Sequence, residues 1–198
     1  MADEKQRLRK ILKETRAGLS ESRARALSDC VQQRVLALEC FHNAPAVALY
    51  AAQNGEVRTD RLFNAALAAA KTVYFPRVDS SLNRLSLVAV TDVAALKPGA
   101  FGLLEPEGRE LTELDKLSDG LICVPGVAFA TGGQRLGRGA GFYDRLLAEL
   151  SSNVVSIGLA YSFQLVDHLP EGPGDRRTDL VATEFSVHRC RSADPRRR

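Results

Sequence analysis

The densest chemistry in this chain lies in one short run, Arg135-Leu136-Gly137-Arg138-Gly139-Ala140-Gly141-Phe142-Tyr143-Asp144-Arg145. Three glycines alternate with an arginine and an alanine, and the run closes on two aromatics and an aspartate. An apolar stretch ending in Pro-Gly, Leu121 to Gly126, stands before it. After it, Phe142, Leu146, Leu147 and Leu150 recur at helical spacing. A strand, a glycine loop and a helix start in that order make an anion site, because unobstructed amides and the helix dipole favour negative charge there. Arg135 and Arg138 add full charges in a fork that fits phosphate. The run is no Walker loop, since no Gly-Lys-Ser/Thr follows. It also lacks the third glycine of a dinucleotide fingerprint at the required place. Glycines before a helix are often only a turn; here the arginines, aromatics and aspartate beside them argue for a site.

Elsewhere the polar candidates each have two readings. Glu56 follows the turn Gln53-Asn54-Gly55 and either holds a polar ligand group or is a solvated turn residue. Asp144 either stabilises the first helical turn or joins a phosphate in holding Mg²⁺, which takes one or two carboxylates plus phosphate oxygens. Asp179 either caps a turn or is the second such carboxylate. Lys5, Arg7, Arg9 and Lys10 have the pattern of a solvated helix face. Of Phe142 and Tyr143, one is expected to pack inward and the other to stack on a planar ring.

These residues need a scaffold. Residues 3–17 are rich in helix formers, with Leu8, Ile11 and Leu12 on one face, and Gly18 interrupts them. Ser20 or Ser22 can cap a second helix with the stripe Leu27, Val31, Val35 and Leu38, so an N-terminal helical pair is expected. Apolar strand candidates follow at 46–50, 72–76, 85–90, 121–124, 154–160 and 185–188, with a helix from 59 or 60 to 70. Strands alternating with helices predict an α/β fold, a three-layer arrangement around a largely parallel sheet. In such sheets ligands bind beyond the strand carboxyl ends. That would gather 51–56, 76–77, 125–144 and the stretch from 161 onward. The breaker-rich connection 97–118 has the length of a functional loop.

With 198 residues the chain can bury one substantial core, and its 45% hydrophobic and 26% charged content is ordinary for a globular protein. We expect one domain over 1–188 and a basic, flexible tail over 189–198. The net charge of +3 is carried by that tail: outside it stand 22 basic and 23 acidic residues. Nucleic acid is therefore not an expected partner, although an RNA-associated role for Lys5 to Lys13 and the tail is a competing class, with salt-dependent binding as its test. Cys30, Cys40, Cys123 and Cys190 form no CxxC pair and, with three histidines, no zinc pattern. Reduced thiols and a cytoplasmic site are expected. No apolar run approaches a membrane span.

Taken together, the motifs resemble the 5-formyltetrahydrofolate cyclo-ligase family, also called methenyltetrahydrofolate synthetase, nearly from end to end. Lys5-Gln6-Arg7-Leu8-Arg9, Asn54-Gly55-Glu56-Val57-Arg58-Thr59, Phe75-Pro76-Arg77, Gly102 to Glu105-Pro106, Val124 to Phe129, the Arg135 to Arg145 run and Asp179 to Phe185 all look like elements of that family. The resemblance implies an ATP- and Mg²⁺-dependent ligase that converts 5-formyltetrahydrofolate to 5,10-methenyltetrahydrofolate, on a fold like that of CoA-transferases and ribose-phosphate isomerases, as a monomer. It implies that Lys5 and Arg9 reach the ATP phosphates, and that Arg135, Leu136, Gly137, Arg138, Gly139, Ala140, Gly141, Phe142 and Tyr143 wrap the nucleotide. Lys5 and Arg138 would be catalytic. Arg138 and Phe142 would also face the folate, Glu56 would bind its pterin, and Asp144 and Asp179 would hold the metal. Two positions depart from the family: Ala130 stands where it has Asp, taking a carboxylate from beside the expected site, and Gly174 stands where a His precedes Asp175. A non-catalytic folate- or nucleotide-binding relative on the same scaffold is the alternative, as is a ligase for another carboxylated or formylated substrate.

Overall fold

A computed structural model describes residues 2–107 and 117–190. Helices α1 (Ala2–Ala17), α2 (Glu21–Leu36) and α3 (Glu39–Asn43) precede β1 (Ala46–Ala48). Helix α4 (Asp60–Ala68) leads to β2 (Thr72–Asp79) and β3 (Arg84–Ala89), and β4 (Lys97–Pro98) and β5 (Leu104–Glu105) make a small hairpin. There follow β6 (Leu121–Val124), β7 (Ala128–Ala130), β8 (Arg135–Leu136) and α5 (Phe142–Glu149). The order closes with β9 (Val155–Leu159), β10 (Leu165–Val166), β11 (Leu180–Ala182) and β12 (Val187–Arg189). Of the basic tail expected from 189, residues 191–198 lie outside the described residues, as do 108–116 of the long connection.

The main sheet has the order β12-β11-β9-β6-β1-β2-β3. Its five central strands run parallel, and both edge strands are antiparallel to their neighbours. Parallel strands covered on both faces need apolar side chains at successive positions, and Leu121-Ile122-Cys123-Val124 is buried throughout. Alternation sends Val47, Leu121, Cys123, Ile157 and Leu159 into one core, where Val31 and Val35 of α2 and Leu62, Phe63 and Ala66 of α4 meet them. Ala46, Ala48, Ile122 and Val124 point the other way, against Leu146, Leu147 and Leu150. The helical stripe of α5 is thus the one its spacing predicts.

Beside α5, a second sheet of order β10-β7-β8 rides over β9 and β11 through Phe129, Ala160 and Val181. Gly158 of β9 makes room for it, since a Cβ there would collide with the Phe129 ring. The two N-terminal helices form, and Ser20 caps the second by accepting from Arg23 N–H at 3.2 Å. They go to different places, however: α1 lies against β7, whereas α2 packs on α4 and β11. The α1 stripe is narrower than expected, for Leu8 and Leu12 face the small sheet while Ile11 is 45% exposed. Leu38 falls past the end of α2, at the start of α3.

Candidate active site

A cavity of about 400 Å³ opens where β1 and β6 end, walled by Tyr50 and Ala51 after β1, Pro125 and Gly126 after β6, and Pro76 and Val78 of β2. The parallel order puts these carboxyl ends side by side. The glycine run completes one wall, and Lys5 and Arg9 of α1 reach in from above it. Their spacing of four residues sets both on one helix face. Tyr161, after β9, is fully buried and absent from the cavity wall, and pairs its hydroxyl with Ser28 Oγ at 3.0 Å.

The glycine run has the backbone its composition permits. Gly139 and Gly141 have φ of +115° and +68°, values that strain residues with a Cβ. Gly141 stands just before α5, whose first bond runs from Arg145 N–H to Gly141 O at 3.1 Å. The preceding amides have no intrahelical partner, and Phe142, Tyr143 and Asp144 line the cavity. Gly137 lets Arg135 fold back, since a Cβ there would sit 2.6 Å from Arg135 Nη1. Arg9 Nε donates to Gly137 O at 2.9 Å and ties α1 to the loop. Both aromatics are half-buried, packing on the α5 core while lining the cavity, so neither is simply inward. Arg135 lies over the Tyr143 ring at 5.7 Å.

The carboxylates come with cations. Arg135 Nη2 donates to Asp144 Oδ1 at 2.8 Å, and Arg176 N–H donates to the same oxygen at 3.1 Å. Lys5 Nζ donates to Asp175 Oδ2 at 2.6 Å, as does Gly172 N–H at 2.9 Å. Partial burial alone would raise the Asp175 pKa; those two donors outweigh it, so the carboxyl is held below its ordinary value. Glu56 is buried, takes Arg138 Nη2 on Oε1 at 2.8 Å and accepts from Gln53 N–H on Oε2 at 3.2 Å. Arg16 stands 3.9 Å from the same Oε1 with its side chain only 4% exposed. Burial lowers the Arg16 pKa, although Glu56 works against this. Of the two sequence readings of Glu56, the solvated one is excluded.

The second expected metal carboxylate is elsewhere. Asp179 sits at the amino end of β11 and accepts from Ser156 N–H (2.8 Å) and Oγ (2.6 Å) at the amino end of β9. The cavity lies at the carboxyl ends, and Asp179 is absent from its wall. Asp175 lines the cavity with Asp144 instead. Sequence reasoning passed over Asp175 because its Pro/Gly-rich segment has no periodicity. The available signal was its place in the family's His-Asp element. Arg16 was missed too, for nothing in a helix-forming run distinguishes a buried arginine. No group of three or more His, Cys, Asp or Glu side chains suited to a metal occurs among the described residues. Ala130 does not deprive the cavity of a carboxylate: it is buried in β7 with Leu12, Val127, Leu136 and Leu169, away from the cavity wall.

Fold and cavity together define an α/β protein whose strand ends carry a cationic glycine loop next to an apolar wall. The chain belongs to the 5-formyltetrahydrofolate cyclo-ligase family, whose model matches residues 1–184. It is 31% identical to the 5-formyltetrahydrofolate cyclo-ligase of Haemophilus influenzae, over 84% of this chain and 90% of that one. It is 27% identical to a probable 5-formyltetrahydrofolate cyclo-ligase of Caenorhabditis elegans, over 91% and 92%. Among solved structures, the 5,10-methenyltetrahydrofolate synthetase of Aquifex aeolicus superposes with a TM-score of 0.82 at 38% identity, covering 96% of this chain and 94% of that one. The Mycoplasma pneumoniae synthetase gives 0.74 at 26% identity, over 91% and 98%. No helix among the described residues is long and apolar enough to cross a membrane.

Proposed function

We propose that the chain is an ATP-dependent ligase that closes 5-formyltetrahydrofolate to 5,10-methenyltetrahydrofolate and releases ADP and phosphate. The observation that carries this is the sharing of one cavity by Lys5, Arg9, Arg135, Arg138 and the glycine run with an apolar wall of Pro76, Val78, Leu85, Leu103 and Leu104. The formyl oxygen attacks the γ-phosphorus of ATP, and ADP leaves. N10 then adds to the activated formyl carbon and gives up its proton to solvent, and the phosphorylated oxygen departs with its bonding pair as phosphate. Such a path asks for charge neutralisation and positioning more than for a protein nucleophile. Lys5, Arg9 and Arg138 supply the charge, the amides from Gly137 to Tyr143 cradle the phosphates, and Arg135 orients Asp144. Arg138 and Phe142 also face the folate, and Glu56 holds both its pterin and Arg138.

Mg²⁺ fits this cavity through Asp144 and Asp175, a set of hard oxygen donors of the number that ion takes beside phosphate, and it would supply further neutralisation of the phosphate oxygens. The order of parallel strands supports a likeness to the CoA-transferase and ribose-phosphate-isomerase scaffold. Residues 1–188 are read as one catalytic domain, monomeric and cytoplasmic; the four free cysteines fit a reducing compartment. The reading as a non-catalytic relative is not favoured, because the cations and carboxylates a phosphoryl transfer requires line a single cavity. The test is growth of the methenyl-folate absorbance band when protein, 5-formyltetrahydrofolate and Mg²⁺ receive ATP. The proposal expects growth only with ATP. A folded protein that binds both ligands without growth refutes it.

A further inference from the structure

Four carboxylates line the cavity: Glu56, Glu105, Asp144 and Asp175. Three of them lie within ion-pair distance of a cation, Glu56 of Arg138 and Arg16, Asp144 of Arg135, and Asp175 of Lys5. Glu105 has no such cation among the described residues. It is buried, 8% exposed, in the apolar part of the wall formed by Val78, Leu85, Leu103 and Leu104. One oxygen, Oε1, accepts from Val78 N–H at 3.3 Å. The other, Oε2, lies so near Gly99 that a Cβ there would collide with it, so the β4–β5 hairpin keeps this oxygen's room with a glycine. A buried carboxylate without a cation is costly unless donors reach it. Among the described residues the only hydrogen bond to this carboxylate is that one long backbone contact, which leaves room for donors from a ligand.

Resting on the folate reading of this cavity, we propose that Glu105 is a second substrate-binding carboxylate, which receives the paired N–H edge of the pterin, its N3–H and 2-amino group. That edge is planar with two adjacent donors, the pattern a carboxylate accepts in bidentate fashion from a guanidinium. Glu56, matched to two arginines, and Glu105, matched to none among the described residues, then act on different parts of the site. Glu56 holds Arg138 in place for the transferred phosphoryl group while it meets the pterin from the Arg138 side, and Glu105 fixes the end of the pterin remote from the formyl group.

The test compares binding of 5-formyltetrahydrofolate and of its 2-desamino analogue to full-length wild type, Glu105→Ala and Glu105→Gln, with the KM for ATP measured alongside. Wild type is expected to prefer the amino compound by roughly 10–100-fold, the scale of a hydrogen bond to a charged group. Glu105→Ala should bring that ratio close to one, with the KM for ATP unchanged. Glu105→Gln, which keeps the shape and one accepting oxygen, should fall between and serves as the test if the alanine variant does not fold. A preference unchanged in either folded variant overturns the assignment, even if stability drops, because a purely structural role for Glu105 would not alter ligand discrimination. Failure of wild type to bind 5-formyltetrahydrofolate at all would overturn the folate reading itself, a distinct result.

Discussion

Arg138 donates to Glu56 across 2.8 Å, joining the glycine loop to the turn after β1 over a separation of 82 residues. The pair brings the glycine loop and the turn beyond β1 together on the wall of one cavity. Arg138 remains 38% exposed and so can reach a ligand, whereas Glu56 is held from behind by Arg16. Arg138→Ala should therefore lower turnover by about 10²-fold or more, the scale of losing one preorganised charge partner at a reacting group. The variant should stay folded, since Glu56 retains Arg16. Absorbance assays beside a thermal melt check this, and turnover near the wild-type rate would remove Arg138 from the phosphate site.

The carboxylates should separate by function. Asp144→Asn and Asp175→Asn are each expected to raise the Mg²⁺ concentration needed for half-maximal rate. Asp179→Asn should leave that concentration alone and instead destabilise the fold by roughly 1–3 kcal/mol, since Ser156 loses a charged acceptor. A Mg²⁺ titration of the three variants, paired with denaturant melts, gives the answer. A shifted Mg²⁺ requirement in the Asp179 variant alone would return the metal to the amino end of the sheet.

Asp175 also sets an acid limit. Its folded pKa lies below the ordinary aspartate value of about 3.9. Its contribution to stability is therefore complete above that ordinary value and disappears as pH falls through the lowered one. Lys5→Met removes the main opposing donor, so the variant should lose less stability than wild type over that same acid interval. Urea melts across the interval measure it. Parallel losses in the two proteins would show that Lys5 does not hold the carboxylate in solution.

Much of this arrangement was readable before the fold was known. The glycine run, the apolar strands and the helical stripe of α5 carry their structure in local periodicity, and Lys5 and Arg9 share a helix face by spacing alone. What could not be read is what depends on long-range register. Asp175 and Asp179 are four residues apart, yet only the pairing of β11 with β9 tells which end of the sheet each occupies. Arg16 resembles its exposed neighbours until α1 docks on the small sheet. Ala130 belonged, by motif, beside the site; the pairing of β7 in that sheet buries it among leucines and valine.

From that burial it follows that restoring the family's aspartate should not improve the enzyme. Ala130→Asp is expected to leave kcat/KM unchanged or lower and to reduce the thermal midpoint, as a carboxylate enters an apolar cluster. A clear rise in turnover would mean that position 130 communicates with the cavity after all.

The account stands most directly on the fate of one oxygen. With ¹⁸O in the formyl group of 5-formyltetrahydrofolate, phosphorus NMR of the released phosphate should show one labelled oxygen for each methenyl product formed. Unlabelled phosphate accompanying the product would contradict the phosphorylation of the formyl oxygen, and with it the role assigned to this cavity.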